Sequence, residues 1–141
     1  MGKVLALDVG ERRVGVAISD ESGLLARPLT TITRASKRED FEAVARLMAE
    51  HGVTRVIVGL PRTLRGEEGA QAGRVRRYAE ALSAAIGAPI VFQDERFTSV
   101  EAEERLAASS RKRRAKGEID AAAAAIILQD YLNQQRTPSG D

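Results

Sequence analysis

Cysteine and tryptophan are both missing from this 141-residue chain, and histidine occurs once, at His51. Without a thiol there is no disulfide framework and no thiolate metal site, and a reducing cytosol is the natural compartment. A single imidazole cannot supply the several nitrogen or sulfur ligands that a zinc centre draws on. Any metal bound here is therefore expected to be a hard cation held by oxygen. Two Tyr and three Phe leave little aromatic surface for stacking single-stranded bases, which favours recognition of shape or backbone. No apolar stretch approaches the ~20 residues of a membrane span, and no charged segment followed by an apolar one opens the chain. A soluble, cytoplasmic protein with no membrane partner is expected.

What is present suits one domain, long enough to remove about 68% of its unfolded surface from water. It is expected over residues 1–134, with 135–141 a disordered polar tail. The net charge is only +2, but the cations are grouped. Arg74, Arg76 and Arg77 form one cluster, and Arg111, Lys112, Arg113, Arg114 and Lys116 a denser one. Such grouping points to a polyanionic partner.

Apolar segments at 3–9 and 13–19 flank Gly10-Glu11 and predict an antiparallel hairpin. A third strand is expected over 24–33, where Pro28 suits an edge or a bulge because it cannot donate to a ladder. Ser36 and Glu39 form a capping box for a helix that carries Phe41, Val44, Ala45 and Met48 on one face and closes at His51-Gly52. His51 there complements the helix dipole from the surface. The continuous apolar segment 54–60 reads as a buried parallel strand. A helix over about 68–86 and a strand over 89–93 follow. Thr98 and Glu101 cap a helix to about 108, a basic loop spans 109–117, and an alanine-rich helix reaches Asn133. The fold class expected is α/β: a mixed five-stranded sheet flanked by helices.

In such a sheet the C-terminal ends of the first, fourth and fifth strands share one edge, where open α/β sheets place ligands. Asp8 and Glu95 both fall there, and Asp120 lies on a helix able to pack alongside. Mg²⁺ or Mn²⁺ takes carboxylate oxygen supplemented by water and phosphate, so the three acids suit a hard-cation site. Each also has a plainer role: Asp8 as a turn former before Gly10, Asp94 and Glu95 as partners of Arg96, Asp120 as a helix N-cap in competition with Glu118.

Four segments, ALDVGERRVGVAISD, VIVGLP, DERFTSVEAE and GEIDAAAAAIILQDYL, occur in order over about residues 4–132. In these the chain resembles the YqgF family, named for Holliday junction resolution and for nucleolytic processing of the 5′ end of pre-16S ribosomal RNA. The resemblance implies a ribonuclease-H-like fold and an acidic catalytic and metal-binding site at Asp8, Glu95 and Asp120. It implies a phosphate contact at Arg96, and places Gly59 and Pro61 in a loop beside the site. Glu11 and Glu118 depart from the family pattern, which often has a small hydroxylic residue and a basic one there. An added acid at either place would alter metal affinity or weaken phosphate binding.

The leading expectation is a divalent-metal-dependent endonuclease acting on pre-rRNA, with Arg12, Arg96 and the cluster Arg111, Lys112, Arg113, Arg114 and Lys116 holding the phosphate backbone. The alternatives are a resolvase of branched DNA and a non-catalytic RNA-binding module of the same fold. Two incisions across a junction want a two-fold dimer, and trimming an RNA does not, so monomer and homodimer both stay open. An Asp-x-Gly hairpin also begins the actin-like ATPase and sugar kinase folds, but those bind nucleotide between two domains, and one is expected here.

Overall fold

Val4, Leu5, Ala6 and Leu7 are each 2% exposed or less, which consecutive strand residues achieve only when both faces of their sheet are covered. The computed structural model describes residues 2–62, 67–95 and 116–136 and shows that arrangement. Its elements are β1 (Lys3–Val9), β2 (Arg13–Ser19), β3 (Ala26–Thr33), α1 (Lys37–His51), β4 (Val53–Pro61), α2 (Ala70–Ile86), β5 (Ile90–Glu95) and α3 (Lys116–Arg136). The sheet runs β3-β2-β1-β4-β5, with the first three strands antiparallel and β4 and β5 parallel to β1. This is the mixed five-stranded sheet that the sequence predicts. Pro28 stands on the edge strand where the β2–β3 register shifts, so its missing N–H breaks no central ladder.

Side chains alternate between two separate cores. Leu5, Leu7, Val9, Val16, Val58 and Leu60 pack under α1 and α2, whereas Val4, Ala6, Ala17 and Ile57 pack under α3. The helix ends follow their chemistry. Ser36 accepts the Glu39 N–H, and Gly52, at φ 66°, donates its own N–H to Met48 O beside His51. Gly87 closes α2 in the same left-handed conformation. The helix expected over 98–108 lies outside the described residues, as does most of the basic loop. Lys116 and Gly117, expected in that loop, are already helical, and α3 runs past Asn133 to Arg136, whose guanidinium donates to Leu24 O at 2.8 Å. Among the described residues no helix is long and apolar enough to cross a membrane.

What positions the functional end of the molecule is the approach of α3 to the sheet. A Cβ built on Gly15 of β2 would stand 2.0 Å from Asp120 O, inside the helix backbone. On β4 a Cβ at Gly59 would stand 2.6 Å from Ile127 Cδ1. Gly15→Ala therefore has to lift a helix, whereas Gly59→Ala has only to turn a side chain. We expect the first to cost about 2–3 kcal/mol and the second about 1 kcal/mol, read as urea midpoints with unchanged m-values. Equal costs would mean that α3 is not seated on β2 as described.

Candidate active site

The even-numbered residues of β1 face α3, and Asp8 continues the series Val4, Ala6. Its cross-strand partner on β2 is Gly15, the residue on which the Asp120 backbone rests. The two carboxylates, far apart in the chain, thus meet above one strand pair. Asp120 lies inside α3 and does not cap it. Arg13, on the same face of β2, donates from Nε to Asp120 Oδ2 at 2.5 Å. Among the described residues Asp8 has no such guanidinium within ion-pair distance. Its carboxyl is pushed up to about 6, first by burial and then by repulsion from Asp120.

Glu95 ends β5 on the same face. Leu7 pairs with Val58, so Asp8 lies level with Gly59, which pairs with Gln93, while Pro61 pairs with Glu95. Glu95 is thus two strands across and one pleat beyond Asp8, about 10 Å and about 7 Å in the two directions. It is 9% exposed. Among the described residues no three His, Cys, Asp or Glu side chains gather at metal-holding distances. The structure brings Asp8 and Asp120 together and sets Glu95 on their face at longer range. Asp94 points the other way and pairs with Arg62 at 2.8 Å, from the end of β4.

Arg12 is exposed in the turn that follows Asp8. Arg96, Arg111, Lys112, Arg113 and Arg114 lie outside the described residues, and Lys116 opens the described part of α3. Gly59 sits within β4, where it receives Ile127, and Pro61 is that strand's last residue; neither forms a loop. Two features escape the sequence reading. One is Arg13 as the partner of Asp120. The other is Asp40, 2% exposed, which accepts from Tyr78 Oη at 3.0 Å and from Ala35 N at 3.1 Å and lies 3.7 Å from Arg34 Nε. Arg34 in turn stacks on the Tyr78 ring and donates to Gly10 O at 2.8 Å, which pins the turn after Asp8. The signal was slight: an acid in the capping turn of a helix reads as a surface dipole partner.

Comparison with known proteins decides the family. The model of RuvX, described as a Holliday junction resolvase, matches residues 2–134. The chain belongs to the RuvX family. A relative from Chloroflexus aggregans is 51% identical over 136 residues, covering 96% of both chains, and one from Thermoanaerobacter pseudethanolicus is 44% identical over 95% of this chain and 98% of its own. Both carry the name "Putative pre-16S rRNA nuclease". Among solved structures, Thermus thermophilus RuvC in complex with a Holliday junction substrate superposes with TM-score 0.57 at 16% identity, over 96% of each chain. The Fowlpox virus resolvase, bound to Holliday junction DNA, gives 0.62 at 10% identity over 96% of this chain and 99% of its own. At those identities the likeness establishes the RuvC-like, ribonuclease-H-type fold of this RuvX member.

The raised Asp8 pKa sets a direction for stability. A carboxyl that titrates at about 6 when folded and at 3.8 when unfolded favours the folded state in its protonated form. Stability falls as pH rises from about 4 to 6 and stays reduced above. Asp8→Asn removes the buried charge, so we expect about 1–3 kcal/mol of added stability at pH 7.5 without divalent ions, and a flatter pH dependence across that window, by urea denaturation. A destabilised variant at pH 7.5 would show that Asp8 is not charge-stressed.

Proposed function

We propose that this RuvX member is a nuclease that hydrolyses phosphodiester bonds in structured nucleic acid with a divalent cation, Mg²⁺ or Mn²⁺, held by Asp8 and Asp120, and that its natural substrate is the 5′ end of pre-16S rRNA. One observation supports the metal reading above others: a buried carboxylate, charge-stressed by a second carboxylate, at the C-terminal edge of the sheet. A hard cation relieves that repulsion, and Mg²⁺ is commonly held by one or two carboxylates with water and substrate phosphate completing the shell. Two carboxylates fit such an ion, and Glu95 fits a third, more distant role on the same face. When bound, the ion would supply charge stabilisation at phosphorus and a more acidic water.

The chain's own residues divide the remaining work. Arg13 holds the Asp120 carboxylate above Gly15 and thereby keeps it near Asp8. Asp8 has to be ionised to bind, so it serves above pH about 6. Arg12, beside it in the turn, together with Arg96 and the cluster from Arg111 to Lys116, orients the phosphate backbone. An enzyme with such a substrate works in the cytoplasm.

The family's description favours a second reading, cleavage of four-way DNA junctions. The absence of a three-ligand cluster among the described residues favours a third, binding without turnover. A cleavage assay that offers a pre-16S rRNA mimic and a four-way junction, each with Mg²⁺ or Mn²⁺, separates them. We expect wild-type protein to cut the RNA, Asp8→Asn to bind it with cleavage reduced at least about 100-fold, and the wild-type rate to fall about tenfold per pH unit below pH 6. Preferential cutting of the junction by a dimer would replace the substrate. Equal inactivity of wild type and variant would leave a binding module.

A further inference from the structure

On the opposite side of the sheet edge from Asp8, α1 and α2 enclose an open cleft of about 390 Å³. Glu11, Arg34, Lys37, Arg74, Arg77 and Tyr78 line it. Four cations therefore face one carboxylate. Arg34 is already committed to Gly10 O, to Asp40 and to the Tyr78 ring. Lys37, Arg74 and Arg77 are exposed and form no ion pair among the described residues, although Arg38, Arg62 and Arg76 close by all do. Lys37, Arg74 and Arg77 gather positive charge around one concavity, an arrangement that suits anionic groups.

We propose that this cleft is a second phosphate-binding site, which takes the backbone of the nucleic acid as it passes from the cut site over the β1–β2 turn. The proposal rests on the reading of Asp8 and Asp120 as that cut site. Gly10 and Glu11, on the cleft wall, are two and three residues from Asp8, about 7–10 Å at full extension. That is a span of a few nucleotides at about 3.4 Å of axis each. Arg74 and Arg77 are three residues apart on α2 and so stand on neighbouring turns of one face, with Lys37 across from them on α1. Such a row suits successive phosphates better than a single anion. The chemistry of Tyr78 also argues against a nucleoside pocket. Its ring is covered by Arg34 and its hydroxyl donates to Asp40, so no aromatic face is left for a base. Recognition here is of backbone, in keeping with the few aromatic residues of the chain.

Glu11 gives the proposal a direction that a folding defect cannot imitate. As the one carboxylate in the lining, it opposes the anion, and Glu11→Gln should tighten binding. The test uses full-length Asp8→Asn protein, which needs no turnover, and a fluorescent RNA stem-loop with a single-stranded 5′ extension. Affinity is read by anisotropy between about 50 and 200 mM KCl. Adding Arg74→Ala and Arg77→Ala should weaken binding at least about tenfold at the low end and make the log–log salt slope shallower by about 1.4–1.8, two phosphates' worth. Adding Glu11→Gln should strengthen it several-fold. A control that also removes two cations, Arg38→Ala with Arg46→Ala on residues outside the cleft, should stay within about twofold. An unmoved slope in the Arg74/Arg77 variant, or equal losses in that variant and the control, overturns the proposal. So does thermal stabilisation of the protein by ATP or pyrophosphate that needs Arg74 and Arg77 while RNA binding does not, since a small phosphate ligand would then own the cleft. Because cleavage is not the readout, an inactive wild type would remove the nuclease reading and leave this test standing.

Discussion

The functional end of the molecule depends on one close approach, that of the α3 backbone to β2 at Gly15. Asp120 reaches Asp8 only because the strand residue between them has no side chain. A helix on a sheet is ordinarily held off by the side chains of both layers. Here the first described turns of α3 come down onto bare backbone, while further along the helix Ala124, Leu128 and Leu132 supply an ordinary apolar contact with Val4, Ala6, Ala17 and Ile57. The small residues of α3 thus serve depth as well as helix propensity, and the apolar packing of the far end clamps the charged near end in place.

That clamp accounts for the electrostatics. Bringing a second carboxylate over a buried one is unfavourable: Arg13 offsets the charge of Asp120, while burial and the nearness of Asp120 keep the Asp8 carboxyl raised. Natural folds tolerate such local cost where a ligand relieves it. Glu95 stands apart from this couple. Its place two strands away follows from the β4–β5 register and from the length of β4, which carries Glu95 one pleat beyond Asp8.

Much of this was legible in the amino-acid order, because the relevant signals are local. The turn at Gly10, the caps at Ser36 and Gly52, the bulge-tolerant Pro28 and the buried parallel β4 all express period, propensity or cap chemistry within a few residues. Asp8 was visible as a charge ending an apolar strand. Less legible were the contacts that join distant positions. Nothing near Arg13 announces Asp120, 107 residues on, and nothing near Asp40 announces that Tyr78 will bury it. Asp94 and Glu95 illustrate the limit: adjacent acids look equivalent in order, yet alternation in a strand sends one to Arg62 and the other to the face of Asp8. Gly15 was the hardest to see, since its purpose lies in a helix backbone about a hundred residues later.

The two halves of the fold meet in the turn between β1 and β2. From the α3 side, Asp8 presents its carboxylate at the strand's end. From the other, Arg34 grips Gly10 O, and Asp40 and Tyr78 fix Arg34 in turn. That second network lies on the opposite face of the sheet from the acids and touches none of them, yet it restrains the backbone two residues beyond Asp8. Burial makes the restraint stiff: Asp40 and Tyr78 are almost without solvent contact, and a hydrogen bond in such surroundings is costly to leave unmade. The α1–α2 layer is therefore the support on which the β1–β2 turn is held.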